Sequence, residues 1–204
     1  RLLLNISTLS RKGFRISKIA EMSERELNSE LLKTGETENS NDLTDALIRA
    51  MIDFDESRFE KALSSGNLKL GFEKAFSELI FPFLVRTGVL WATGAIRPVQ
   101  EHFVSNLVRR KISVAIDSVY AEANPNAQKF VLFLPEGETH ELLLLFTEYL
   151  LRSRGHHVTY LGSSVPLSDM EDLKEAFNPG VLVVYFTVAL TDTSTTSYLH
   201  HLSQ

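Results

Sequence analysis

The stretch that decides the fold is residues 129–146, KFVLFLPEGETHELLLLF. Residues 129–134 form a continuous apolar run, a pattern typical of a strand buried on both faces of a parallel sheet. A polar turn follows, and then a helical pattern from about His140 to Arg154, with Gly155 ending the helix. The sequence therefore predicts a strand that passes directly into a helix, with a histidine at the junction.

The alternation of strands and helices continues toward the C-terminal end. Two more strands and two more helices are predicted, at 158–162, 168–178, 181–186 and 193–202. Ser168 and Glu171 form a capping box for the first of these helices, and Asn178-Pro179-Gly180 ends it. This order predicts a doubly wound, Rossmann-like α/β domain over residues 129–204. Only about half of such a domain can be counted, so we expect it to be incomplete.

A helical region precedes the α/β domain. Residues 42–123 show helical periodicity interrupted by short turns, which predicts a four-helix bundle. Asn41 or Asp42 is the expected N-cap of the first helix, and Asp55 that of the second. Gly66-Asn67 is expected to end the second helix. Pro82 is expected to kink the third helix, and Pro98 to begin the fourth.

Composition excludes several classes of protein. The chain has 204 residues, a net charge of -5 and no cysteine, which excludes disulfide scaffolds, thiolate zinc sites and cysteine nucleophiles. Its longest apolar runs, 79–85 and 180–189, are shorter than the ~20 residues of a membrane span. Basic residues follow the apolar start without a cleavage-like stretch, so we expect a cytoplasmic protein rather than a secreted one. No Ser-His-Asp order, P-loop or paired carboxylates appear, and we expect no enzyme activity.

His140 is the leading candidate for a ligand residue. It follows the first strand, at the sheet edge where open α/β sheets bind their ligands. On position alone, a histidine at such a junction is more often a solvated helix start than a ligand. Its surroundings, Glu138 to Leu143, resemble the D-x-H-x-x-G loop of cobalamin (vitamin B12) binding domains, with a longer acid in the Asp position and Leu143 where the motif has Gly. The resemblance implies that His140 binds cobalt and that Glu138 holds the imidazole tautomer.

Two later segments extend this resemblance. Residues 155–166, GHHVTYLGSSVP, are similar to the G-x-x-V-x-x-L-G-x-x-x-P segment of the same domains, which implies that Ser163 and Ser164 end the second strand beside the nucleotide tail of the cofactor. Thr187 keeps the hydroxyl of the family's S-x-L sequence near that tail, and Ala189 stands where the family has Leu. His156 and His157 fit exposed turn residues better than metal ligands.

Residues 91–102, WATGAIRPVQEH, carry a second motif: a Trp followed ten positions later by Glu-His. This spacing resembles the helical cap of the light-sensing, adenosylcobalamin-dependent MerR repressors of carotenoid genes. The resemblance implies that Trp91, Glu101 and His102 surround the adenosyl group. Ala92 stands where light-sensing members have a second His for cobalt, so a stable bis-histidine light product is not expected. The alternative is that Trp91 is bundle core and that Glu101 and His102 form an ordinary helix face.

Residues 1–28, a helix, a turn at Gly13 and a second helix, resemble the last part of a MerR-type winged-helix DNA-binding domain, and the polar residues 29–41 are the expected linker. Together the resemblances imply a cobalamin-responsive transcriptional regulator. The cofactor would bind between cap and α/β domain, control a homo-oligomer (dimer or tetramer), and so control operator DNA binding through a head upstream of Arg1. Two alternatives stay open: a regulator of this architecture that answers a protein partner without cobalamin, and a corrinoid-carrying methyltransferase module. Neither a membrane nor a small-molecule substrate is expected as a partner.

Overall fold

The computed structural model describes residues 9–10, 13–23, 26, 40–119, 124–170, 180–187 and 194–203. The chain forms two compact units, Arg1–Leu107 and Val108–Gln204, which are described separately. The helices are α1 (Ile16–Ala20), α2 (Ser40–Asp53), α3 (Glu56–Leu70), α4 (Phe72–Ala92), α5 (Pro98–Ser118), α6 (Leu142–Ser153) and α7 (Thr195–Ser203). The strands are β1 (Lys129–Pro135), β2 (His157–Val165) and β3 (Val181–Val184).

The predicted helical region is confirmed, with corrections at helix ends. The Asp55 carboxylate accepts a hydrogen bond from the Arg58 backbone N–H at 2.9 Å, so Asp55 caps α3 as predicted. The first helix begins at Ser40, ahead of the predicted cap. The prediction that Gly66-Asn67 ends α3 was wrong, because the helix continues to Leu70 and Gly71, with φ +76°, follows it.

Helix α4 is continuous but irregular. The sequence predicted a kink at Pro82, and the structure has a π-helical turn, Phe76–Ile80, directly before the α-helical segment that contains this proline. Its Phe76, Leu79 and Phe83 side chains are buried, as the apolar periodicity predicted.

By length and composition, Phe72–Ala92 is the one helix among the described residues that could cross a membrane, with a mean hydropathy of 1.3. Counting uninterrupted apolar runs missed this, because polar residues punctuate the helix. The finding is weak, since a core helix of a bundle passes the same test, and a third of the helix's apolar window is buried.

The part of the bundle core that the structure describes includes an ion pair as well as apolar side chains. Asp45 on α2 is fully buried, and its Oδ1 lies 2.5 Å from Nη1 of Arg86 on α4. Apolar side chains from all four helices surround the core, among them Leu47, Met51, Phe59, Leu63, Leu79, Phe83 and Val104. The pair ties two helices at a buried position where an unpaired carboxylate would be costly.

At the N-terminal end, α1 packs in a small cluster in which Leu9 and Ile19 are buried against Phe14 and Met22. The predicted turn at Gly13 is present, with φ +88°. Most of the predicted first helix and nearly all of the linker lie outside the described residues.

The three described strands form a parallel sheet in the order β2-β1-β3, which confirms the predicted α/β fold. The central strand β1 is buried on both faces: Val131 and Phe133 pack on one face, and Leu132 and Leu134 on the other. The described crossover helix, α6, follows the carboxyl end of β1 and leads to β2. Of the predicted capping box Ser168/Glu171, the Glu lies outside the described residues, as do Asn178 and Pro179.

Two boundaries in this unit differ from the predictions in ways that affect the loop at the sheet edge. Helix α6 begins at Leu142 rather than at His140, so the histidine belongs to the turn before the helix. Strand β2 extends to Val165 instead of ending at residue 162, and β3 ends at Val184 instead of residue 186.

Candidate functional site

The candidate site is the loop that joins β1 to α6 at the carboxyl edge of the sheet. The chain leaves β1 at Pro135, turns at Gly137, whose φ is +82°, and returns with a hydrogen bond from the Glu138 N–H to the Pro135 carbonyl at 2.9 Å. Glu138 is only 3% exposed, whereas His140 two residues later is exposed. The loop therefore buries its acid and presents its imidazole.

Both carboxylate oxygens of Glu138 accept hydrogen bonds. Oε1 accepts from the Thr139 N–H at 2.8 Å, from the His140 N–H at 2.9 Å and from His140 Nδ1 at 2.6 Å. Oε2 accepts from the Thr187 N–H at 3.0 Å and also from the Thr187 hydroxyl. Thr187 lies just beyond β3, so the buried carboxylate joins two neighbouring strand ends.

These hydrogen bonds decide the charge of Glu138. Burial alone would raise its pKa, but hydrogen bonds from the side chains and backbones of Thr187 and His140 outweigh burial and lower the pKa to about 2. Glu138 is therefore ionised at neutral pH and can only accept hydrogen bonds.

The ionised acid fixes the tautomer of His140. Because a carboxylate offers no proton, the proton of a neutral His140 ring is on Nδ1, and in that tautomer Nε2 has the lone pair. The His140 side chain is 66% exposed. A neutral imidazole held through one nitrogen and presenting the other is the arrangement that metal-binding histidines adopt. Among the described residues no three His, Asp or Glu side chains cluster as a metal site.

Strand β2 holds the loop from its other side, through Ser164. The Ser164 hydroxyl accepts a hydrogen bond from the Gly137 N–H at 3.1 Å, and the backbone N–H of Ser164 donates to the Glu138 carbonyl at 3.1 Å. Ser164 has φ +56°, an uncommon conformation for a residue with a side chain. Ser163, which the sequence predicted together with Ser164 at the end of this strand, is exposed.

Sequence reasoning also missed Glu141, Tyr160 and Arg109. The Tyr160 hydroxyl donates to Glu141 Oε2 at 3.0 Å, and Arg109 Nη1 forms an ion pair with Glu141 Oε1. Burial raises the pKa of Tyr160 to about 12, with a further contribution from the charge of Glu148 and an opposing one from Arg109. The only sequence signal was an acid directly after the histidine.

The residues of the second motif lie in the helical unit. Trp91 is in the last turn of α4 and is 55% exposed, which contradicts the alternative that it is bundle core. Glu101 and His102 are in the first turn of α5, where Glu101 Oε2 lies 2.8 Å from His102 Nδ1 and Glu101 also accepts a hydrogen bond from the Ser105 hydroxyl. A tight turn joins the two helices, with Gly94 at φ +70°.

The structure thus brings Glu138, His140 and Thr187 into one hydrogen-bonded cluster in the α/β unit. It places Ser163 on the adjacent strand, outside that cluster, and it places Trp91, Glu101 and His102 in the other unit. Ala189, the last position of the S-x-L comparison, lies outside the described residues.

Comparison with known proteins gives matches at three levels. Residues 43–116 match the family model described as the B12 binding domain. The chain is 30% identical, over 135 residues, to the HTH-type transcriptional repressor CarH of Myxococcus xanthus. That alignment includes 66% of this chain but 44% of the repressor, so the chain spans less than half the length of this relative.

Two solved structures are also similar. One is a novel cobalamin-binding protein from Desulfitobacterium hafniense DCB-2, 20% identical, with 82% of this chain and 78% of that chain covered and a TM-score of 0.41. The other is the methanol:cobalamin methyltransferase complex MtaBC from Methanosarcina barkeri, 16% identical, with 96% and 73% covered and a TM-score of 0.38. These scores are too low to support an argument about function. At the level of the family model, residues 43–116 of this chain are thus similar to the B12 binding domain.

Proposed function

We propose that this chain binds cobalamin, with His140 as the protein ligand to cobalt. The observation that carries the proposal is the Glu138–His140–Thr187 cluster at the carboxyl edge of the parallel sheet. Glu138 keeps Nδ1 protonated, and Thr187 keeps Glu138 in place. Nε2 is then free to donate its lone pair to a metal that approaches from solvent.

The residues of the loop fit such a group. One imidazole nitrogen is committed and the other is available, the side chain is exposed, and an ionised acid stands behind it to stabilise positive charge on the ring. Bound cobalamin would supply a cobalt ion, and His140 would hold that ion through Nε2. Orienting that ligand in one tautomer is what Glu138 and Thr187 contribute.

Within the helical unit we propose Trp91, Glu101 and His102 as the residues that recognise an adenosyl group. Trp91 offers an exposed indole face, and the Glu101–His102 pair, which begins ten positions later in the sequence, offers hydrogen-bonding groups. Adenosylcobalamin is therefore the form of cofactor that we propose. Because Ala92 has no imidazole, we propose adenosyl recognition without a second histidine ligand after exposure to light.

At the level of the whole protein, we propose a MerR-type transcriptional regulator in the cytoplasm rather than an enzyme. The support is the 30% identity to a transcriptional repressor and the likeness of residues 1–28 to the end of a winged-helix domain. Cofactor binding would favour one homo-oligomeric state and thereby change the affinity for operator DNA. The bases would be read by a helix upstream of Arg1.

The test is an absorption spectrum of the chain after mixing with adenosylcobalamin in the dark and desalting, repeated after green light. We expect retained cofactor with a histidine-ligated spectrum, and we expect His140→Ala to lose that ligation. His157→Ala is the matched control, because His157 is an exposed histidine of the same unit that lies at the start of β2. Unchanged affinity and spectrum in His140→Ala would refute the ligand assignment.

One observation favours a second candidate, a regulator of the same architecture that works without cobalamin. Leu143 stands at the start of α6 in the position where the related loop has Gly, and its side chain adds bulk where a cofactor approaches. In that case the wild-type chain would retain no cofactor on desalting. Leu143→Gly would then be expected to restore retention.

A further inference from the structure

We infer that Glu141 is a positioning residue for His140, and that Tyr160 and Arg109 hold it in place. This inference rests on the proposed ligand role of His140. All four residues lie in the Val108–Gln204 unit, so their contacts belong to one compact body.

The contacts of Glu141 link three elements of this unit. Its Oε2 accepts the Tyr160 hydroxyl of β2 at 3.0 Å, and its Oε1 pairs with the Arg109 guanidinium of α5. The Glu141 side chain is 15% exposed, so both contacts are largely shielded from water. Hydrogen bonds to a charged group in such surroundings are stronger than neutral ones.

Glu141 occupies the N-cap position of α6, yet its carboxylate makes no capping hydrogen bond to that helix. Residues that serve mainly as caps use their side-chain oxygen on the first free N–H groups. Here both oxygens turn away from the helix to β2 and α5. The carboxylate therefore serves to hold the loop against the rest of the unit rather than to cap α6.

His140 thus lies in the sequence between two acids that are each held by contacts to other elements. Two residues before it, Glu138 is tied to Thr187 beyond β3, and directly after it, Glu141 is tied to β2 and α5. The first acid sets the imidazole tautomer and the second sets the position of the backbone that carries the imidazole. Fixing a ligand within a narrow range of positions is a requirement for strong binding.

The first experiment uses the cofactor-free chain and measures amide hydrogen exchange in residues 136–141 together with the ¹⁵N shifts of the His140 ring. We expect Glu141→Gln to speed exchange about tenfold, the effect of losing about 1.4 kcal/mol of local stability. Tyr160→Phe, which removes one of the two contacts and keeps the ring, should give a smaller increase. Glu136→Gln is the control, because Glu136 is an exposed acid of the same loop.

The second experiment adds adenosylcobalamin and compares the fraction of histidine-ligated cobalt in the same variants. We expect this fraction to fall in Glu141→Gln and to stay at the wild-type level in Glu136→Gln. The inference would be overturned if Glu141→Gln showed the same rate of amide exchange in the loop and the same fraction of histidine-ligated cobalt as Glu136→Gln. If the wild-type chain binds no cobalamin, the proposed function fails, while the exchange and ring shifts of the cofactor-free variants still decide whether Glu141 positions His140.

Discussion

The buried acid behind His140 predicts a specific dependence of stability on pH. Hydrogen bonds hold the pKa of Glu138 at about 2 in the folded chain, against an ordinary value of 4.5. A depressed pKa stabilises the folded state at pH values above the ordinary pKa, and this contribution is lost as the pH falls through the folded pKa. Glu138 should therefore stabilise the cofactor-free chain at neutral pH and stop doing so between about pH 4.5 and pH 2.

The magnitude follows from the shift. A difference of about 2.5 pKa units corresponds to about 3 kcal/mol. The neighbouring His140 is largely exposed, so solvent screens part of this interaction, and we expect about 2 kcal/mol. Glu138→Gln should remove it at pH 7, which for a chain of this length lowers the Tm by about 4–8 °C.

The assay is thermal or denaturant unfolding of wild type and Glu138→Gln from pH 7 to pH 2, without cobalamin. The gap between the two proteins should be widest at pH 7 and should close below pH 4.5 as the wild-type acid takes up its proton. Glu136→Gln, in the same loop but exposed, should stay within about 0.5 kcal/mol of wild type throughout. A gap that is constant over this pH range would refute the assignment of an ionised, hydrogen-bonded Glu138.

Three further predictions concern the helical unit. Gly66→Ala should destabilise the chain by about 1–2 kcal/mol, because the added Cβ would come 2.5 Å from a buried leucine methyl. Gly88→Ala, in open space on α4, should instead stabilise it by about 0.5–1 kcal/mol, and effects of the same sign in unfolding experiments would contradict the packing. Arg86→Met should cost about 3 kcal/mol, because the fully buried Asp45 loses its guanidinium, and a loss under about 1 kcal/mol would show that the pair is dispensable. Trp91→Ala should leave the free energy of unfolding within about 1 kcal/mol of wild type, since the side chain is half exposed. In binding titrations it should weaken the binding of adenosylcobalamin more than that of methylcobalamin, and equal losses would speak against the adenosyl pocket.

The fold could be predicted where one physical demand explains a whole segment. Strand β1 needs apolar side chains on both faces, so its sequence has almost no other reading. The end of α3 was mispredicted because a glycine can serve two purposes. Gly66 makes room for Leu79, while Gly71 adopts the positive φ that ends the helix, and only the packing tells them apart.

The candidate site was predictable where its residues are local in sequence. Glu138 and His140 stand two residues apart, and their relation follows from the loop motif. Which of Ser163 and Ser164 contacts the loop could not be predicted, because the pairing of β1 with β2 has two register shifts, and these change the direction of successive side chains. Arg109 and Tyr160 come to Glu141 from distant parts of the chain, and no local pattern marks such partners.

Two separate parts of the chain support the cobalamin proposal, and this separation gives it strength. The family match covers residues 43–116, which are helical and contain Trp91, Glu101 and His102. The hydrogen-bond geometry at His140 lies wholly outside that range and owes nothing to the match. An imidazole committed through Nδ1 to a buried carboxylate is a poor choice for a structural histidine on an exposed turn, because a solvated ring needs no such partner. The geometry therefore supports the proposed ligand role of Nε2, and the family match of residues 43–116 indicates which ligand to test first.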